Sequence, residues 1–363
     1  MTLPLYRLAS EPALATEGNR GLWYGRFFNR YDADWTIPED GKSKWVSDNA
    51  GSAGQRESLH TQALRHLALI TALGGRGAVF KTDWHFATGL GLPHPVENGL
   101  IWHYTLGVPY LAGSAVKGLV RAWVEVWDES LSDREKAQRL SDWFGTTEQA
   151  GCFRFFDALP VEPVMLAADV MTPHLAKWYE QGGTIQDWRR EPEKLPADWH
   201  APVPVPFLVV KEAKLLFGMA PRRPEFAEEL PLVFAALKQA LDWLGAGAKT
   251  AAGYGRMVED AARFASLTED AAGATARAEV AKLPPEQQVL RALRERFEAD
   301  RRRGVKEPGG EVIDWLNQFL KDGLNWPAPA RVELAALAET IYGYVGWGPR
   351  RQERRQKIAA LRG

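Results

Sequence analysis

The sequence predicts an α+β fold, with a strand-bearing domain over residues 1–262 and an α-helical extension over 263–363. Three observations carry this. Helical and strand periodicities alternate between Ser58 and Val258; a glycine-rich segment from Gly245 to Gly255 joins a helical run to a short final strand; and beyond Glu259 the composition turns to Ala, Glu, Arg and Leu at helical spacing. At 363 residues, 45% hydrophobic and 25% charged, the chain is long enough for two domains with an ample core. Its 33 glycines and 23 prolines fall well short of low-complexity composition. Lys and Arg number 45 against 46 Asp and Glu, so no global cationic field exists and any nucleic-acid surface has to be local. The single cysteine, Cys152, sits in an apolar run and reads as a buried strand residue of a protein from a reducing compartment. The N-terminus lacks a basic segment followed by an apolar stretch, and no apolar run approaches the roughly 18 residues of a membrane span. The expectation is a cytoplasmic protein without a membrane contact.

Residues 1–55 read as a loop-rich, partly ordered arm, rich in Gly, Asn, Asp and aromatics. From Ser58, Leu59, Ala63, Leu64, Leu67 and Ile70 recur at helical spacing up to Gly74-Gly75. Ala78–Gly89 alternates as a strand, and Ile101–Leu106 reads as another. Gly113-Ser114 is a predicted N-cap opening a helix to about Trp127, and a second helix covers Asp133–Phe144. Residues of about 160–205, rich in Pro, Trp and acids, read as a long insertion with one short helix near Pro173–Gln181; irregular stretches of that length are usually functional. Val203–Leu216 returns to strand character and Pro231–Leu244 to helix. In the extension, Pro284-Pro285 and Pro308-Gly309-Gly310 break the helical pattern, and Val312, Ile313, Leu316, Phe319 and Leu320 mark a helix with an apolar face.

Two segments stand out chemically. In the first, a helix starting at Ser114 would present free amides, with Lys117 and Arg121 four residues apart on one face; this is either an anion grip or a solvated cationic face. In the second, Gly245, Gly247, Gly253 and Gly255 allow positive φ and close approach of a ligand, while Lys249, Thr250 and Arg256 supply donors for phosphate oxygens. A packing element is the competing reading. The P-loop pattern fails, because Ala248 and Trp243 stand where it needs glycine, and a dinucleotide fingerprint fails because helix precedes loop and strand follows.

Together the two segments carry a resemblance. Pro109-Tyr110-Leu111-Ala112-Gly113-Ser114-Ala115-Val116-Lys117-Gly118-Leu119-Val120-Arg121 resembles a signature of the RAMP superfamily of CRISPR-associated RNA-binding proteins, departing from it at Ala115, where a second serine is usual. Gly245 to Arg256 is similar to the C-terminal glycine-rich loop of that superfamily. Gly89-Leu90-Gly91, His94-Pro95, Glu97-Asn98-Gly99, Asp169–His174 and Pro204–Leu208 narrow the likeness to sixth-subunit proteins of type III-B (Cmr) effectors. The resemblance covers about residues 58–258. It implies an RRM-like, ferredoxin-type β-α-β-β-α-β sheet with insertions, and a non-catalytic subunit that binds guide RNA (crRNA) near its 3′ end and helps position target RNA beside sister RAMP subunits in antiviral defence. It also implies RNA contacts at Gly113, Ser114, Lys117, Gly118, Arg121, Gly245, Gly247, Lys249, Thr250, Gly253, Tyr254 and Arg256. No cofactor, metal or DNA-specific readout is expected.

The alternative is a metal-independent guide-RNA-processing endoribonuclease with a histidine as general base. Seven histidines are available, at 60, 66, 85, 94, 103, 174 and 200; His60 and His66 do not share a helix face, and His66 reads as packed or capping. Asp32, Asp34 and Asp48 read as turn formers. In the insertion, Trp178, Tyr179, Trp188 and Trp199 with Lys177, Arg189 and Arg190 are either a stacking platform or interface aromatics, and the resemblance suggests a thumb-like projection there. The extension is dense in cations at Arg291, Arg294 and Arg301 to Arg303, and residues 350–362 hold six basic residues against Glu353 alone: an RNA contact or a solvated face.

Overall fold

The computed structural model describes residues 13–15, 17–197, 200, 202–306 and 310–363, so Trp199, Pro308 and Gly309 lie outside the described residues. The N-terminal arm, read as loop-rich and partly ordered, carries three short elements within its described residues. It forms α1 (Arg20–Arg26), α2 (Gly41–Asp48) and β1 (Gly51–Ala53), and its aromatics Tyr24, Phe28 and Trp45 are buried in the main core. Burial of large rings drives local order that glycine-rich composition conceals. The arm's carboxylates do form turns and pairs: Asp32 accepts from the amides of Asp34 and Thr36, and Asp48 pairs with Arg30.

The helix α3 (Arg56–Ala72) buries Leu59, Ala63, His66, Leu67 and Ile70 and leads into β2 (Arg76–Thr82). The strand predicted to Gly89 stops at Thr82. Beyond it the backbone turns against the glycine-rich loop, where Asp83 donates to the Arg256 carbonyl. Only β3 (Trp102–His103) of the predicted 101–106 strand forms, pairing with β4 (Val108–Pro109). Then follow α4 (Gly113–Ala122), continued as a π-helical turn over Trp123–Trp127, and α5 (Asp133–Arg139), continued the same way to Phe144. A capping box between Ser132 and Glu135 starts α5.

β5 (Phe153–Phe155) and β6 (Leu159–Pro160) precede β7 (Val164–Met171), which occupies the first part of the predicted insertion. The insertion is therefore shorter than predicted: 172–204, carrying α6 (Ala176–Gln181). The stretch of strand character over Val203–Leu216 holds two strands, β8 (Val205–Glu212) and β9 (Lys214–Pro221), which separate into different sheets at Ala213. α7 (Leu230–Trp243), the glycine-rich loop and β10 (Met257–Glu259) complete the domain.

The main sheet runs β10-β2-β9-β5, with β6 also on β9, and every pairing is antiparallel. Taken as the first to fourth strands, β2, β5, β9 and β10 lie in the order fourth-first-third-second. With α4 between the first and second and α7 between the third and fourth, this is the expected ferredoxin-type β-α-β-β-α-β arrangement. β1, β7 and β8 form a second antiparallel sheet, with β7 in the middle.

The chain divides into two compact units at Ala271/Ala272, within α8 (Ala261–Ala281), rather than at 262/263. The start of α8 belongs to the first unit, where Phe264, Leu267 and Ala271 pack with Leu67, Ile70, Val79 and Leu216. In the second unit, α9 (Pro285–Arg302), α10 (Glu311–Asp322), α11 (Ala328–Val345) and α12 (Arg351–Arg362) enclose their own core around Leu293, Leu316, Leu334 and Ile341. No described helix is long and apolar enough to cross a membrane.

Candidate nucleic-acid interface

The first motif is built into the fold more tightly than an open anion grip. The residue capping α4 is Ala112, and Ser114, exposed, makes no capping bond, which corrects the predicted Gly-Ser cap. The Gly113 amide donates to Asp157 Oδ1 at 2.7 Å, and the Ala115 amide to the Ala112 carbonyl at 2.8 Å. The chain's own carboxylate thus occupies the place an anion was expected to take at the helix start. A Cβ on Gly113 would collide with the Phe155 carbonyl, so glycine here lets α4 approach β5. Arg121 pairs with Glu125 at 3.5 Å. Lys117, half-buried, forms no ion pair among the described residues, and Gly118 is exposed with open space where a Cβ would stand.

The second motif lies against the segment following β2. The Ala248 amide donates to the Ala87 carbonyl and the Gly255 amide to the His85 carbonyl, both at 2.7 Å. All four glycines have positive φ, and Lys249, φ 59°, joins them in the left-handed region. A Cβ at Gly245, Gly247 or Gly255 would strike backbone, whereas at Gly253 nothing stands nearer than the Trp84 ring at 3.9 Å. Three glycines therefore serve packing and one faces open space. Arg256 is committed within the protein, its Nε donating to the Asp242 carbonyl and its guanidinium to Asp242 Oδ1, which ties the loop to the end of α7. Thr250 opens the one-turn 3₁₀ segment Thr250–Ala252 and is half-buried.

Around this loop the structure gathers side chains that sequence spacing could not join. Tyr254 donates its hydroxyl to Asp169 Oδ2 at 2.5 Å, and His85 Nδ1 lies 3.1 Å from the same oxygen. Because an ionised carboxylate only accepts, Nδ1 is the donor in this contact. Burial acts to raise the Asp169 pKa, but the hydrogen bonds from Tyr254, the Val170 amide and His85 outweigh it and hold the carboxyl below its ordinary value. Burial first, then the Asp169 contact, pushes the Tyr254 hydroxyl well above its ordinary value, so it stays a donor. Trp84 stacks on His85 at 4.8 Å between ring centroids with 11° between planes, and is 50% exposed. Lys249 Nζ stands 5.6 Å from the Phe207 ring centroid and 5.9 Å from that of Tyr254. Trp84, His85 and Asp169 stand outside the expected RNA-contact residues, although His85 is among the seven candidate histidines and Asp169 among the residues that carry the resemblance. Asp169 is 85 residues from Tyr254, and only the antiparallel placement of β7 beside the loop's neighbours brings it there.

Among the described residues no hydrogen bond or ion pair joins the two motifs, and no group of three His, Cys, Asp or Glu side chains is placed to hold a metal ion. A cavity of about 440 Å³ lies near the N-terminal elements, lined by Tyr24, His94, Trp102 and Tyr110; no residue of the glycine-rich loop lines it. The other predicted candidates are spread out. His66 is buried edge-on to Phe156, and Trp178, Tyr179 and Trp188 are exposed. Most extension cations are paired within their unit, Arg291 with Glu295, Arg294 with Glu333 and Lys357 with Glu353, while Arg354 and Arg355 cover Tyr342 and Trp347.

A ferredoxin-type sheet whose last helix and strand are joined by a glycine-rich loop is the architecture of the superfamily whose model matches residues 78–258: the chain carries a RAMP superfamily domain. It is similar to the CRISPR system Cmr subunit Cmr6 of Pyrococcus furiosus, 28% identical over an alignment of 236 residues that covers 50% of this chain and 66% of that one. It is also similar to Cmr6 of Saccharolobus solfataricus, 31% identical over 83 residues, 22% of this chain and 27% of the relative. The chain thus spans about two thirds of the first relative's length and about a quarter of the second's. Similar solved structures include a type III-B Cmr-β complex bound to cognate target RNA, at 18% identity and a TM-score of 0.42 over 60% of this chain and 69% of that one. Another is the crystal structure of Pyrococcus furiosus Cmr6, at 26% identity and a TM-score of 0.32 over 51% and 98%.

Proposed function

We propose that this chain is a non-catalytic RNA-binding subunit of a type III-B, Cmr-type effector complex, holding guide RNA near its 3′ end beside sister RAMP subunits and helping to position target RNA. The RAMP domain and the likeness to Cmr6 support the class. The observation that carries the RNA contact is the glycine-rich loop itself: a rigid turn with Lys249 on its rim, Gly253 open and an exposed indole alongside. Backbone, a cation and a ring are what a sequence-independent single-strand site requires. Ser114, Lys117 and Gly118 form a second contact surface in this reading, and Arg121 joins it when it leaves Glu125. A net charge of −1 suits a subunit that grips a few nucleotides between protein neighbours.

Purification of the tagged chain from cells expressing its complex should bring down crRNA and other RAMP subunits. Replacing Lys249 with alanine should reduce the slope of log affinity against log salt by roughly 0.7, the value of one single-strand phosphate contact. An unchanged slope together with full guide retention would overturn the loop's role. One observation favours the second reading, a ribonuclease: His85 with Asp169 behind it has the form of an oriented general base. Cleavage of RNA by the isolated chain in EDTA, abolished by His85→Ala, would establish that reading instead.

A further inference from the structure

Trp84 is one of several half-exposed tryptophans of the first unit, and it is set apart by the contacts that hold it beside the glycine-rich loop. Its backbone is fixed on both sides, since Asp83 donates to the Arg256 carbonyl at 2.9 Å and the His85 carbonyl accepts from Gly255 at 2.7 Å. One face of the indole is covered by the His85 ring, whose plane Asp169 fixes through Nδ1 and which lies within 11° of parallel. Asp169 is held in turn by Tyr254, and the Tyr254 ring meets Trp84 at 5.2 Å. The three-member chain of Asp169, His85 and Trp84, with Tyr254 beside it, therefore supports a ring that is still half exposed. Its flank is bare backbone at Gly253. The Lys249 ammonium, over the Tyr254 ring on the same loop, is placed to meet a phosphate.

We infer that Trp84 is a base-stacking platform, taking the π-face of one unpaired nucleobase of single-stranded RNA while Lys249 meets an adjacent phosphate. The inference rests on the RNA-binding reading and adds to it a residue and a mode of contact that no glycine-loop motif contains. His85 and Asp169 are positioning residues in this arrangement: they act through the indole, by denying it other rotamers. Stacking is tolerant of base identity because every base offers a π-face, so the site selects an unpaired, bared nucleotide rather than a sequence.

The test uses the full chain and two labelled strands of equal charge, a mixed-sequence single-stranded oligoribonucleotide and an abasic version of it. Trp84→Ala should weaken binding of the base-bearing strand about 5- to 100-fold at an unchanged salt slope, leave the abasic strand's affinity unaltered, and be largely rescued by Trp84→Phe. A melting temperature unchanged in Trp84→Ala separates this from loss of fold. Equal weakening for both strands, or none for either, overturns the inference while the RNA-binding reading stands. Intact RNA affinity with loss of a protein subunit from the complex overturns it in favour of a protein contact. An unaltered chain that binds neither strand removes the RNA-binding reading and the platform together.

Discussion

At the scale of single residues, the glycine-rich loop separates two kinds of glycine that look alike in sequence. At Gly247, φ is 86° and a Cβ would collide with the Ala87 carbonyl; at Gly253, φ is 90° but the surroundings are open. Gly253→Ala should therefore cost about 1 kcal/mol of stability, the strain of a left-handed alanine, and Gly247→Ala on the order of 3 kcal/mol or more, because backbone has to move as well. Chemical denaturation of the two variants checks this, and equal losses would refute the distinction. The sequence shows that the loop needs glycine, but not which glycine faces a neighbour, because the neighbours, Ala87 and Trp84, come from more than 150 positions upstream on the first strand's extension. The same limit hid Asp157 at the start of α4 and Asp169 beneath His85.

At the scale of elements, periodicity reveals those that bury one face and misses those buried on both or held by rings. The helices α3, α7 and α10 alternate clearly and stand close to where their patterns place them. β8 and β9 are apolar runs separated by the charged residues Lys211, Glu212 and Lys214 around Ala213, a break that shows in the sequence but does not reveal the change of sheet, and β7 reads as part of an insertion because prolines precede and follow it. The helix α8 shows the cost of reading a boundary from composition. Truncation after Ala262 would strip Phe264 and Leu267 from Ile70, Val79 and Leu216, whereas truncation after Ala281 keeps them. The shorter product should expose apolar surface and aggregate, and the longer should melt cooperatively; scanning calorimetry and light scattering on the two report this directly. A soluble, cooperatively melting product of the first truncation would contradict the packing of α8.

At the scale of the molecule, three partly or fully buried histidines of the first unit contribute to its acid response. Burial is the leading cause in His66, His94 and His103, and it lowers each pKa below the ordinary value, outweighing the opposing pull of Asp157 on His66 and His103 and of a Tyr24 backbone contact on His94. The native state favours the neutral rings while the unfolded chain takes up protons near pH 6.5, so the stability they support is complete well above pH 6.5, begins to be lost as pH falls through that value, and is fully lost once pH lies below the depressed native values. The melting temperature should drop between about pH 7.5 and pH 5.5, and His66→Gln, which removes a ring whose Nε2 is buried without a partner, should shrink that drop. An undiminished drop in the variant would exclude His66 as a contributor.

The pairing of Met171 with Val205 has a consequence for how the chain can change. The two ends of the 172–204 segment are held side by side by a strand ladder that begins at that pair, so the segment is a guest at the tip of a hairpin rather than a link between distant parts. Its length is nearly free of cost to its host, since each doubling of such a loop adds only about 0.6 kcal/mol of closure entropy. Exchange of 172–204 for an Asn-Gly turn should leave the melting temperature of the first unit within a few degrees of the original, and a collapse of that temperature would show the segment to be structural. The segment is a tip that selection can lengthen, shorten or replace while the sheet beneath it stays the same.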